Sequence, residues 1–86
     1  MSILNFVDRI MVKAELMEGM MHTLDVKEAL ADMPSAAAVM RHATLRCLGC
    51  THASDCASWL EEHESAQRAP SYCRNRELFD FARVEA

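Results

Sequence analysis

The sequence has few of the residues that form strands, hairpins and long loops. Its 86 residues include two glycines, two prolines and five aromatic residues, whereas alanine, methionine, leucine and glutamate are frequent. These abundant residues favour helices, and β-branched and aromatic residues favour strands. We therefore predict an all-α protein, a small bundle of four to five helices.

Positive charge and long apolar runs are also scarce. Acidic residues outnumber Lys and Arg by 13 to 9, for a net charge of −4, so no basic surface is expected to bind nucleic acid. Asp8, Arg9 and Lys13 interrupt the apolar N-terminal stretch. That stretch is neither a membrane span of about 20 apolar residues nor a secretory signal. A cytoplasmic protein without a membrane span is expected.

The small size predicts one domain with a modest hydrophobic core, for which a metal centre or a partner subunit is a natural supplement. We divide residues 1–86 into a long amphipathic helix, two shorter helices, a cysteine-bearing region and a C-terminal helix. The respective ranges are 1–24, 25–46, 47–75 and 76–86.

The first predicted helix, Ile3 to Leu24, carries an apolar seam whose members are spaced alternately by four and three residues, which indicates packing along the helix. Further apolar residues flank this seam. They are interpreted either as core or as the interface of a homodimer formed through the N-terminal helix. The seam consists of Ile3, Val7, Ile10, Ala14, Met17, Met21 and Leu24.

Local signals predict where the other helices begin and end. Asp25 and Glu28 form a capping box that starts a short helix, and Pro34 ends it near Met33. Gly49 has the position of a left-handed helix end. Three further helices are predicted at 36–48, 55–66 and 76–84, with Ser35, Ser54 and Asn75 as their N-caps.

The four cysteines follow the spacing C-x2-C-x5-C-x16-C, at Cys47, Cys50, Cys56 and Cys73. In a reducing compartment, clustered cysteines bind metal more often than they form disulfides. We interpret all four as one ligand set that joins the ends of the last three helices. Cys56 and Cys73 are each expected beside a helix N-terminus, where the helix dipole lowers thiol pKa values.

An iron–sulfur cluster, preferably of the 4Fe-4S type, fits this spacing better than zinc does. Structural zinc commonly takes its thiolates from two C-x2-C pairs, and the second pair is missing here. A four-iron cluster accepts more widely distributed cysteines, one for each iron. Zinc remains the alternative, and cysteines that bind no metal are a third possibility. Four apolar or aromatic side chains are expected to shield the centre: Leu48, Trp59, Tyr72 and Phe79.

The resulting functional hypothesis is a non-catalytic iron–sulfur protein that transfers electrons or senses redox state or iron through a protein partner. The alternative is a zinc-stapled structural or interaction module. A thiol–disulfide oxidoreductase using Cys47 and Cys50 comes third. No arrangement of catalytic residues indicates an enzyme. The histidines, among them His52 between two cysteines, are expected to be solvated rather than ligands.

Several sequence elements resemble a known family. They are T-L-D at 23–25, R-C-L-G-C at 46–50, C-A-S-W-L from Cys56, and A-P-S-Y-C-R-N-R-E-L-F at 69–79. These elements, between about Met17 and Phe79, resemble the small bacterial four-cysteine proteins of the domain of unknown function 6455 family. Thr23 stands where that family usually has glycine. The resemblance implies that the four cysteines form one unit, and it implies no activity. The matching positions are Cys47, Cys50, Cys56, Trp59, Leu60, Pro70, Tyr72, Cys73, Asn75 and Phe79.

Overall fold

The computed structural model describes residues 3–85 and the side chains of residues 7–84. This part of the chain contains five α-helices and no strand, which confirms the all-α prediction. In chain order the helices are α1 Ile3–Leu24, α2 Lys27–Ala31, α3 Ala36–Leu48, α4 Ala53–Glu62 and α5 Arg76–Glu85. Within the described residues no helix combines the length and apolarity that crossing a lipid bilayer requires.

The long helix α1 is the element on which the others assemble. It packs against α3, α4 and α5, and the short α2 packs against α3 and α5. The buried core is rich in methionine and alanine, residues that allow close and adaptable helix packing. It consists of Met17, Met20, Met21, Leu24, Val26, Leu30, Ala43, Ala69, Phe79 and Ala82.

Only the C-terminal half of the α1 seam is buried. Met17, Met21 and Leu24 lie in the core, whereas Val7 is 43% exposed and Ala14 is exposed. The side chain of the first seam residue, at position 3, lies outside the described residues. The predicted packing along the whole helix is therefore wrong for its N-terminal half, because the shorter helices cover only the second half.

The chain leaves α1 through a Schellman motif. Asp25 is left-handed, with a φ of 57°, and its N–H donates to the His22 carbonyl at 3.1 Å. The Val26 N–H donates to the Met21 carbonyl, also at 3.1 Å, and both of these apolar side chains are buried. The predicted capping box is wrong, because Asp25 ends α1 and Val26 takes the N-cap position of α2.

Two distant segments bind the remaining carbonyls of the last turn of α1. The Thr23 carbonyl accepts the Ala66 N–H at 3.1 Å, and the Leu24 carbonyl accepts the Arg83 guanidinium at 2.7 Å. The four C-terminal carbonyls of a helix have no partner within the helix itself. Here all four have one, so the end of α1 holds together both the segment after α4 and the end of α5.

Two other predicted helix boundaries are corrected. Gly49 is right-handed, with a φ of −82°, so the predicted left-handed helix end is wrong. A Cβ at this position would lie 2.9 Å from Nη1 of Arg74. Helix α4 begins at Ala53, after His52 rather than Ser54. It ends at Glu62 rather than Ala66, because the Ala66 N–H is bonded to α1.

The predicted bounds of α1 and α3 are confirmed, and α5 extends one residue beyond its prediction. Helix α2 ends at Ala31, two residues before the predicted end at Met33. Ser35 has the predicted N-cap position of α3. It adopts a left-handed conformation, with a φ of 58°, and its side chain makes no capping hydrogen bond.

The close contact between α1 and α4 at Gly19 gives a testable prediction. A Cβ at Gly19 would lie 3.1 Å from Cδ1 of Leu60. Overpacking of this kind costs about 1–3 kcal/mol, which exceeds the roughly 1 kcal/mol that alanine gains over glycine in a helix. We expect Gly19→Ala to lower the free energy of unfolding by about 1 kcal/mol, measured by urea denaturation.

The control is the same substitution in a Leu60→Ala background, where the obstructing side chain is absent. There Gly19→Ala should raise the free energy of unfolding by about 1 kcal/mol. Equal effects in the two backgrounds would show that the contact with Leu60 does not constrain α1.

Candidate functional site

All four cysteines line one pocket between the helices. Cys47 lies in the last turn of α3, Cys50 follows that helix, Cys56 lies in α4, and Cys73 lies in the turn before α5. Each is a free, half-buried thiol. The pocket has a volume of about 30 Å³. The thiols surround this space, but residues 3–85 contain no ready group of three or more His, Cys, Asp or Glu ligands for a single ion.

The rest of the pocket wall is mainly apolar and comes partly from α1. Leu16, Met17 and Met20 line it from that helix, and Tyr72 and Phe79 line it from the C-terminal region. The last two were among the four expected shielding residues.

The other two expected shielding residues lie elsewhere. Among the described residues, neither Leu48 nor Trp59 lines the pocket. The Trp59 ring instead stacks on His63, with ring centroids 4.2 Å apart. The contribution of α1 was missed, because its apolar residues were assigned only to the core or to a subunit interface.

Backbone N–H groups point at two of the sulfur atoms. The His52 N–H donates to Sγ of Cys50 at 3.3 Å, and the Asn75 N–H donates to the Cys73 sulfur. Hydrogen bonds of this type stabilise a thiolate more than a neutral thiol. The backbone therefore supplies hydrogen-bond donors at two of the four sulfur positions.

Lys13 reaches the site from α1. Its Nζ donates to the Cys47 carbonyl at 3.3 Å and also to the Cys50 carbonyl. In the opposite direction, the Cys47 thiol donates to the Lys13 backbone carbonyl at 3.5 Å. Sequence analysis missed this residue. The available signal was a lysine within the apolar stripe formed by Ile10, Met17 and later residues of the same face of α1.

A buried asparagine anchors the turn that carries Cys73. Asn75 is 3% exposed, and its Nδ2 donates to the Ala43 carbonyl of α3 at 2.9 Å. Its Oδ1 accepts Nη1 of Arg46 at 3.2 Å. The predicted role as a side-chain N-cap is replaced by this bridge to α3, which fixes Cys73 relative to Cys47.

His52 and Tyr72 cover the outer side of the site. Their rings stack with centroids 4.8 Å apart, and Nδ1 of His52 lies 3.1 Å from Oδ2 of Asp55. His52 is exposed, as expected. Its ring contacts Tyr72 rather than a sulfur atom, while its backbone holds Cys50.

Burial raises the pKa values of three thiols, those of Cys47, Cys56 and Cys73, instead of lowering them. It raises the pKa of Cys56 to about 11, and the neighbouring thiols add to this effect. Burial likewise raises the pKa of Cys47 and of Cys73. The expected lowering at helix N-termini is wrong for Cys56 and Cys73 in the metal-free protein, because removal from water outweighs the helix dipole and the hydrogen bonds.

Comparison with known protein families identifies the family of the chain. A family of unknown function, DUF6455, matches residues 4–85. The chain belongs to the DUF6455 family. No curated protein and no solved structure matches the chain significantly.

The DUF6455 match extends beyond the elements that carried the resemblance and includes all five helices. Thr23, which stands where the family usually has glycine, does not need a left-handed conformation, because that conformation at the exit of α1 falls on Asp25. The Thr23 residue is 6% exposed.

The raised pKa of Cys56 predicts slow and strongly pH-dependent alkylation in the metal-free protein. A shift from 9.0 to about 11 makes the thiolate fraction at neutral pH roughly a hundredfold smaller. We expect the rate of iodoacetamide labelling at Cys56, followed by mass spectrometry, to rise about tenfold per pH unit from neutral pH until it levels off near 11.

The same protein in denaturing urea is the control, and its labelling rate should level off near pH 9. Because the unfolded chain ionises first, the free energy of unfolding should also fall as pH rises from about 9 towards 11. Labelling of folded Cys56 that already levels off near pH 9 would contradict the prediction.

Proposed function

We propose that this protein binds a metal centre through Cys47, Cys50, Cys56 and Cys73, and that the centre is an iron–sulfur cluster, preferably 4Fe-4S. The protein would serve one-electron transfer or redox and iron sensing in the cytoplasm, through a protein partner rather than nucleic acid. The observation that carries this proposal is the common pocket lined by all four thiols. Cysteines 26 positions apart along the chain meet there without forming a disulfide.

The donor set and its surroundings fit a thiolate-bound cluster. Cluster potentials and stability depend on hydrogen bonds to the sulfur atoms, on net charge and on solvent exposure. The site offers N–H donors at Cys50 and Cys73, a lysine at the Cys47–Cys50 loop, and apolar walls. When bound, such a cluster supplies reversible one-electron chemistry. The chain itself supplies the thiolates, orients them and excludes water.

A four-iron cluster needs a larger pocket than the metal-free protein has. A volume of about 30 Å³ holds roughly one water molecule or one ion, so a four-iron core needs more room. Met17 and Met20 line the pocket, and their unbranched side chains can change conformation at low cost. Cluster binding therefore requires these two side chains to move outward.

The same pocket size favours zinc as the second candidate. Four thiolates around one zinc ion, each about 2.3 Å from it, would draw the thiols inward without enlarging the pocket. In that case the metal would hold α3, α4 and the turn before α5 together. The protein would then be a structural or interaction module without redox chemistry.

The thiol oxidoreductase hypothesis receives less support. A nucleophilic cysteine needs a lowered pKa or an activating base. The pKa of Cys47 is raised by burial, and its thiol donates to a backbone carbonyl of α1.

Metal analysis after anaerobic, iron-replete expression tests the main proposal. We expect about four irons and four sulfides per chain, a brown colour, and bleaching by dithionite. One zinc per chain in a colourless protein would establish the zinc candidate instead. Protein that binds neither metal under iron-replete or zinc-replete conditions would overturn both.

Removal of one predicted ligand should affect metal content and fold together. We expect Cys73→Ser to lose most of the bound metal and to unfold at lower urea concentration, because metal binding is linked to folding. The matched control is Ser71→Ala in the same turn, at an exposed position. A Cys73→Ser variant with full metal content would exclude this residue as a ligand.

We further propose that a second copy of the chain packs on the N-terminal half of α1. Val7 and Met11 are 43% and 57% exposed, and together with Ala14 they lie on one face of the helix at spacings of four and three. They lie on or beside the uncovered half of a heptad seam, and such a seam commonly pairs with another helix. The same face on two chains would form a twofold dimer.

A charged substitution on this face should therefore shift the protein to a monomer. We expect Met11→Glu to do so in sedimentation or light-scattering measurements, because dimerisation would bury the new charge. Leu45→Glu is the matched control, since Leu45 is 61% exposed on α3. Equal molecular masses for the unmodified protein and for Met11→Glu would contradict a dimer through this face.

A further inference from the structure

Lys13 makes contacts that apolar packing does not explain. It lies on the apolar stripe of α1, and its ammonium group donates to the carbonyls of Cys47 and Cys50, which are two candidate ligands. These carbonyls lie at and beyond the C-terminus of α3, and the Cys47 carbonyl also accepts the Cys50 N–H at 3.0 Å. One side chain from α1 thus holds the C-x2-C loop at both of its cysteines.

The charge of Lys13 also acts on the sulfur atoms. Its ammonium group is bonded to the carbonyls of Cys47 and Cys50, and the Cys47 thiol donates to the Lys13 carbonyl at 3.5 Å, so the charge lies close to these cysteines. Its hydrogen bonds are partly buried, so its field is screened less than that of a surface lysine.

We propose that Lys13 is the built-in counter-charge of the four-cysteine site, a positioning residue that fixes the C-x2-C loop and stabilises negative charge on its thiolates. This inference rests on the proposed metal-binding function and deepens it. Four thiolates in one apolar pocket repel each other, and a positive charge at close range offsets part of that repulsion. Metal retention, and for a cluster its reduction potential, would therefore depend on a residue that is not a ligand.

A second cation provides an internal comparison. Nη1 of Arg74 donates to the Gly49 carbonyl at 3.1 Å, so Arg74 holds the same loop as Lys13. Arg74 is exposed, and water and salt screen its charge. Removing Arg74 should loosen the loop, whereas removing Lys13 should loosen the loop and also remove the counter-charge.

The test compares Lys13→Met, Lys13→Arg and Arg74→Met in protein loaded with iron or zinc. The substitution Lys13→Met keeps the length and apolar contacts of the side chain but removes its charge. We expect it to lose metal to a chelator about tenfold faster than the unmodified protein, the scale of outer-shell effects on metal sites. Lys13→Arg should retain metal nearly as well, and Arg74→Met should show a smaller effect.

In iron-loaded protein, the midpoint potential is a second readout, because it responds to the charge of residue 13 as well as to the position of the loop. Loss of a nearby positive charge should make the potential of Lys13→Met more negative, and Lys13→Arg should leave it near the original value. If Lys13→Met and Arg74→Met had equal effects on both metal loss and midpoint potential, the proposal that Lys13 is the counter-charge would be overturned.

Failure of the proposed function would be recognised separately. If the protein takes up neither iron nor zinc, the positioning role of Lys13 is tested on the metal-free protein by hydrogen exchange at the Cys50 N–H, which donates to the Cys47 carbonyl. Exchange there should be faster in Lys13→Met than in the unmodified protein, and Lys13→Arg should restore the slower rate. Unchanged exchange in Lys13→Met would overturn the role of Lys13. Circular dichroism checks folding, and Lys13→Gln replaces Lys13→Met if that variant does not fold.

Discussion

The burial of four cysteine side chains in one apolar pocket is the constraint on which the rest of this structure depends. Cys47, Cys50, Cys56 and Cys73 share one apolar pocket, and burial together with the neighbouring thiols raises the pKa of Cys56. Without a bound cation, Cys47, Cys56 and Cys73 are therefore stable mainly as neutral thiols. With a metal they can all ionise, because the ion supplies the charge that burial otherwise disfavours.

The surrounding structure supplies polar contacts from segments far apart in sequence. A lysine from α1 binds the loop after α3, while Asn75 joins the turn before α5 to α3. At the opposite end of α1, an arginine from α5 and the amide of Ala66 bind the last carbonyls of the helix. The pocket is thus held by backbone and side-chain hydrogen bonds as well as by a small core. This arrangement suits a short chain whose apolar burial is limited.

Local sequence signals predicted the helices better than their caps. Alternating apolar spacing gave α1 with its observed bounds, because an amphipathic pattern continues over many residues. The caps depended on single residues and on contacts from elsewhere. Asp25 ends one helix instead of starting the next, and Gly49 is right-handed rather than left-handed.

By itself, the sequence determined the all-α class, the positions of the two longest helices, the family, and the grouping of the four cysteines. Composition, periodicity and spacing are local properties, so they can be read without coordinates. Only the tertiary structure decided that α1 forms part of the pocket wall, that Lys13 faces the cysteine loop, and that Asn75 bridges to α3. Each of these facts depends on which face of one helix packs against another. Such pairings join residues about 30 positions apart and leave no local pattern in the chain.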